Sequence, residues 1–142
     1  MRLHDLLQNK PGGVITVSAS MDLLQAINTM CDHKVGALLV KDGDGALHGI
    51  VTERDVLRFC SSSKGHLEGA AIADAMTRKL IVASPDTSVD EAMSLMTEHR
   101  FRHLPVLDGD TPVGMISIGD LVKARLNDIT VEATYLREYI HS

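Results

Sequence analysis

The sequence predicts a mixed α/β (α+β) fold in which a β-α-β-β-α unit is written twice and followed by a C-terminal helical extension. Three observations predict it. Residues 15–27 (ITVSASMDLLQAI) align with 81–93 (IVASPDTSVDEAM), His33 with His99, and Val40 with Val106, all at an offset of 66. Within each copy, short aliphatic runs alternate with apolar residues at helical spacing. After the second copy, an apolar stripe recurs at alternating spacings of four and three.

The elements follow in order. Val14 to Val17 is a β-branched run that reads as a first strand, and Leu23, Ala26, Ile27 and Met30 then mark one face of a helix. Val35 to Val40 and Leu47 to Val51 flank Asp42-Gly43-Asp44-Gly45, a hairpin signature because Asp and Gly tolerate the positive φ of tight turns. Ser61-Ser62-Ser63-Lys64-Gly65 is a polar connector, which sets the expected division at 1–66 and 67–142. In the second copy, Val89, Met93 and Met96 give the helical face. Leu104 to Leu107 and Val113 to Ile118 surround Asp108-Gly109-Asp110. Past that turn the offset falls to 65, so one residue is lost within a turn, where deletions are best tolerated. Val122, Leu126, Ile129, Ala133, Leu136 and Ile140 form the terminal stripe. It suits a helix packed along a partner helix, the Leu3, Leu6 and Leu7 segment, another subunit, or its own domain.

Composition narrows the function. Hydrophobic residues make up 44% of the 142, which supports a globular core, and two halves of this size must share one. Aromatics are only 3% with no Trp, and net charge is −5, so neither base stacking nor phosphate neutralisation is favoured and nucleic acid is not the expected partner. No apolar run approaches the roughly 20 residues of a membrane span, and Met1 to Lys10 lacks the apolar core of a secretory signal; a soluble cytoplasmic protein is expected. Cys31 and Cys60 are too few for a disulfide framework. The scattered His residues match no metal-ligand spacing, and no phosphate loop or nucleophile elbow is present, so no metal and no catalytic activity are expected.

Chemistry concentrates in Thr52-Glu53-Arg54-Asp55 and its counterpart Ser117-Ile118-Gly119-Asp120, each at the passage from a strand into a helix. Two readings fit, and they are compatible. A hydroxyl with an acid three residues on is a capping box, which fixes a helix start. The same corner offers unpaired N–H groups to a phosphate and a carboxylate to the hydroxyls of a ribose. The copies also differ: His33-Lys34-Val35-Gly36-Ala37 stands where copy two has His99-Arg100-Phe101-Arg102-His103. Arg102 and His103 equip copy two to hold phosphate oxygens, unless they are simply a solvated, charged strand edge.

Gly49-Ile50-Val51-Thr52-Glu53-Arg54-Asp55, Arg102-His103-Leu104-Pro105-Val106 and Ser117-Ile118-Gly119-Asp120 together resemble the cystathionine-β-synthase (CBS) domain family, from about Val14 to Leu126. The resemblance implies two repeats packed as a pseudo-twofold module, commonly a homodimer, that holds AMP, ADP, ATP, NADH or S-adenosylmethionine between the copies. It further implies Thr52 and Ser117 at phosphate or ribose, Asp55 and Asp120 at the ribose hydroxyls, Arg102 and His103 at phosphate, Thr16 at the adenine, and Arg54 as a further phosphate contact. Copy one departs from the pattern at Ser18-Ala19-Ser20 and at Gly36-Ala37. The expected role is a regulatory adenine-nucleotide sensor read by an unidentified effector protein; the alternative is a structural dimerisation module that binds no ligand.

Overall fold

The computed structural model describes residues 1–10, 13–41 and 43–141, with the side chain of His141 excepted; Asp42 of the expected hairpin turn lies outside the described residues. The elements are α1 (Leu3–Gln8), β1 (Thr16–Ser18), α2 (Leu23–His33), β2 (Ala37–Lys41), β3 (Leu47–Thr52), α3 (Glu53–Ser62), α4 (Ile72–Ala75), α5 (Val89–His99), β4 (His103–Asp108), β5 (Thr111–Ser117) and α6 (Ile118–His141). They form two compact units. One comprises Gly13–Ile81 with Asp108–Val113, the other Met1–Gly12, Val82–Leu107 and Gly114–Ser142. In these units residues 1–10 group with the second copy, and the segment up to Ile81 groups with the first.

In the first-copy unit, β1 runs parallel to β2, and β2 pairs antiparallel with β3, with Val17 opposite Val40 and Leu38 opposite Val51. Ala37 to Val40 are all buried, as a strand between two neighbours requires. α2 lays Leu23, Ala26 and Met30 onto this sheet at helical spacing, and α4 adds Ile72 and Met76 to the same core. α2 ends on Lys34 in the left-handed region at φ +55, with the Val35 N–H bonded to the Met30 carbonyl.

The second-copy unit repeats this plan with one loss. α5 buries Val89, Ala92 and Met96 and ends on Arg100 at φ +59, with the Phe101 N–H bonded to the Met96 carbonyl, as at Lys34. The strand expected before α5 shrinks to a single bridge, Ala83 with Val106. Prolines end it on both sides: Pro85 stands where copy one has Ala19, and the other is Pro105. Its counterpart Leu39 donates its N–H to the Ile15 carbonyl, and proline has no N–H to give, so the ladder loses the bond that would extend it.

Two short helices not foreseen in the sequence reading complete the repeats. Leu3 to Lys10 aligns with Ile72 to Lys79 at an offset of 69, and each segment opens with an aspartate bonded back to the backbone: Asp5 to the Arg2 N–H and Asp74 to the Ala71 N–H. α1 fixes itself to the second copy through Leu3 N–H to Thr87 O and Val89 N–H to Met1 O. α4 is fixed to the first copy through Ile72 N–H to Met21 O and Leu23 N–H to Ala70 O, the matching pair of bonds.

The terminal stripe departs from two expectations. It lies neither on its own domain nor against Leu3, Leu6 and Leu7, because α6 docks through Leu121 and Ala124, and every residue from Arg125 to Ile140 is exposed. The stripe starts at Val122, one residue and so about 100° around the helix from Leu121, and it faces away from the buried side.

Candidate functional site

The two strand-to-helix corners are built alike. In the first copy, the Glu53 N–H bonds the Gly36 carbonyl; in the second, the Ile118 N–H bonds the Arg102 carbonyl. Each bond ties the start of a helix to the strand entry before the hairpin. Each corner then closes a reciprocal cap, in which a hydroxyl accepts the N–H of the aspartate three residues on and the aspartate accepts the N–H of the hydroxyl residue. The distances are 3.2 and 2.9 Å for Thr52 and Asp55, and 3.1 and 2.9 Å for Ser117 and Asp120.

Beyond the cap the corners diverge. Asp55 is only 5% exposed, and both its oxygens are engaged. Oδ2 accepts from the Thr52 hydroxyl at 3.1 Å as well as its N–H, Oδ1 accepts from the Thr77 hydroxyl at 2.8 Å, and the exposed Arg58 lies 3.7 Å from Oδ1. Thr77 is positioned by a backbone exchange with Ile50, N–H to O in both directions, that lays the segment after α4 across β3.

Asp120 keeps 30% of its side chain in solvent. Its Oδ2 accepts from the Ser117 N–H and from the Lys10 ammonium at 2.8 Å, and the same ammonium reaches the Met115 carbonyl at 2.8 Å. Burial pushes this carboxyl up, but the Lys10 ammonium and the Ser117 N–H outweigh it and hold its pKa below the ordinary 3.8.

The remaining expected site residues fall into two groups. Arg102 is exposed and His103 half-buried, at the entry of β4, with the Arg102 carbonyl bonded into the Asp120 corner. Thr16 is exposed at the start of β1, separated from β3 by β2, and Arg54 is exposed on the first turn of α3. The reading of the sequence missed Thr77 and Lys10. Both lie in the segment repeated at an offset of 69, and the shared aliphatic-x-Asp pattern was the signal that could have found them. Among the described residues no cluster of three or more His, Cys, Asp or Glu side chains could hold a metal, and no helix is long and apolar enough to cross a membrane. Cys31 and Cys60 are free thiols. A groove of about 700 Å³ lies on the α5 and α6 face, lined by Asp90, Met93, Ser94, Thr97, Glu98 and Arg125, none of them a residue of either corner.

A family model described as CBS domain matches residues 10–62 and 72–127. The mitochondrial CBS domain-containing protein CBSX3 of Arabidopsis thaliana is 43% identical over 146 residues, which cover 97% of this chain and 71% of that protein. Among solved structures, a CBS-domain containing protein of Agrobacterium tumefaciens superposes with a TM-score of 0.83 at 37% identity, over 87% of this chain and 92% of that one. CBSX2 in complex with AMP superposes at 0.73 with 28% identity, covering 89% and 96%. A CBS domain pair in complex with 5′-methylthioadenosine and S-adenosyl-L-methionine superposes at 0.79 with 25% identity, covering 90% and 98%.

Proposed function

The chain belongs to the CBS domain family, and from that premise we propose that it is a regulatory module that binds an adenosine compound at the Ser117–Asp120 corner and catalyses nothing itself. The observation that carries this reading is the Asp120 carboxylate: ionised, partly open to solvent, and held in place by its cap. A carboxylate so placed accepts the two vicinal hydroxyls of a ribose, and charge-assisted bonds of this kind are the strong ones. Ser117, Lys10, Arg102 and His103 belong to the same unit and supply donors for phosphate oxygens. Two relatives of the same fold hold AMP and S-adenosyl-L-methionine, which supports the adenosine class for the ligand.

In this reading Thr52, Arg54, Asp55 and Thr16 form a second, weaker site in the first copy, because Asp55 is already saturated by Thr52 and Thr77. The module works in the cytoplasm as a homodimer, and a separate effector protein reads the bound state. Any such switch requires the ligand to bind the two states of the module unequally. The competing reading, a dimerisation module without a ligand, is favoured by one feature, the exposed stripe on α6.

Thermal melts with AMP, ADP, ATP, NADH and S-adenosylmethionine separate the two. A ligand present at about a hundredfold its dissociation constant adds roughly 2.7 kcal/mol to the folded state. A rise in Tm with at least one of these compounds, lost in Asp120→Ala, is expected. No rise with any of them would leave only the dimerisation reading.

A further inference from the structure

We infer that the exposed stripe of α6 is the seam of a parallel, two-stranded pairing with α6 of a second copy of this chain. The inference stands apart from the nucleotide reading but rests on the homodimer of the proposed function, whose seam it places on α6: a one-copy mass for the full chain would sink both, whereas a dimer that survives a change in the stripe would sink the seam alone. Val122, Leu126, Ile129, Leu136 and Ile140 are between 44% and 74% exposed, and Ala133 between them is exposed as well. Their spacings of four, three, four, three and four are the a and d positions of a heptad repeat, with Leu126, Ala133 and Ile140 at a and Val122, Ile129 and Leu136 at d. From Val122 to Ile140 the stripe runs about 27 Å at 1.5 Å per residue, six core positions that no other described part of the chain covers.

The flanking charges identify the occupant and its direction. In a parallel pair, each g position faces the e position five residues further along the partner helix. That sets Glu132 of each copy against Arg137 of the other, an opposite-charge contact made twice by the twofold axis. Of the other two flanking cations, Lys123 meets Ile118, and Arg125 meets Thr130 and is already paired with Asp90 on α5, so neither opposes a like charge. An antiparallel pair that stacks the same six layers places Glu132 beside Glu132 and Lys123 beside Arg137, like charges at every charged contact. The helix is self-complementary in one direction only. A second copy in parallel fits it, and the partner surface is the stripe itself.

Sedimentation equilibrium of the full chain tests this. A mass of two copies is expected at micromolar concentration; a mass of one copy or of four overturns the pairing. Ile129→Asp should give the mass of one copy with an unchanged far-UV spectrum, since Ile129 is 54% exposed and takes no part in the core. A dimer that survives this change pairs elsewhere and overturns the inference. Arg137→Glu decides direction by its sign. In the parallel pair it replaces two attractions with two Glu–Glu repulsions and weakens dimerisation by about tenfold. In the antiparallel pair it would relieve the clash with Lys123 and strengthen it. The double variant Glu132→Lys with Arg137→Glu should return the dissociation constant to within about threefold of the starting protein, given that each exposed pair contributes little; failure to recover overturns the assigned contact.

Discussion

The two aspartate corners share a backbone plan and differ in what closes them. Asp55 meets a neutral hydroxyl, Thr77, on a segment locked to β3 by two backbone hydrogen bonds. Asp120 meets a flexible ammonium, Lys10, with its own side chain 40% exposed. The first arrangement is buried and saturated, so its carboxylate is a structural linchpin between α3 and the chain after α4. The second is hydrated and its closing group sits on four rotatable bonds, so its carboxylate can exchange partners at small cost. The two corners therefore share one plan, and the segment laid over each one decides whether its carboxylate is buried and saturated or hydrated and exchangeable.

The largest effect expected from this contrast is on stability in the first corner. Asp55→Ala removes a carboxylate that satisfies the Thr52 N–H, the Thr52 hydroxyl and the Thr77 hydroxyl, and it deletes one half of a cap. Stranding those donors costs about 3 kcal/mol, read as a fall in the urea midpoint with the slope unchanged. A loss of under about 1 kcal/mol would show that Asp55 is not what holds this corner.

Asp120→Ala should reverse the pattern. Its carboxylate is partly hydrated and its strongest bond is to an exposed lysine, so unfolding free energy falls by only about 1 kcal/mol. Affinity for the adenosine ligand should fall about a hundredfold, the loss of two charge-assisted bonds to ribose. Isothermal titration of both variants with the same ligand sets the two effects side by side. Equal loss of affinity in both would mean that saturation of Asp55 by Thr52 and Thr77 does not disable its corner.

Much of this was legible in the sequence, and what was missed has physical causes. The repeat, the helical faces and both reciprocal caps follow from residue types at fixed spacing, because capping and amphipathicity are local. What closes each aspartate is not local. Thr77 lies 22 residues from Asp55 and Lys10 lies 110 from Asp120, and nothing in a window around either corner marks them. The lost strand before α5 was concealed differently: Pro105 reads as an ordinary member of an apolar run, and its missing N–H matters only once the partner strand is known. The stripe on α6 was visible, yet its direction was not, since the face that docks is set by Leu121 and Ala124, which obey the same helical spacing.

The matched glycines sharpen the comparison at smaller scale. A Cβ on Gly49 would stand 2.6 Å from the Thr77 carbonyl oxygen, a backbone atom in a two-way hydrogen-bonded bridge that cannot retreat without breaking it. A Cβ on Gly114 would stand 2.3 Å from a Leu7 methyl, at the free end of a side chain that can rotate. Gly49→Ala should therefore cost about 2 kcal/mol and Gly114→Ala less than about 1, by thermal melts of the two variants. The reverse order would mean that α1 is held over β5 more rigidly than the segment after α4 is held over β3.

The smallest effect is electrostatic and confined to acid. The Asp120 carboxyl titrates below 3.8 in the folded chain, so the Lys10 pairing stabilises the fold above about pH 4 and is lost as pH falls through the lowered value. Lys10→Met removes the ammonium and leaves the burial that pushes the carboxyl up against the Ser117 bonds alone, so the midpoint followed by NMR on the carboxyl carbon should rise. At neutral pH the variant should lose less than about 1 kcal/mol, because both partners are partly hydrated. Below the folded pKa the gap in stability between the variant and the unaltered chain should narrow, since protonation of Asp120 ends the ion pair and leaves Lys10 its bond to the Met115 carbonyl. An unaltered chain whose Asp120 titrates at or above 3.8 would mean that the ammonium does not hold the carboxylate, and the second corner would then be open for a reason other than an exchangeable ion pair.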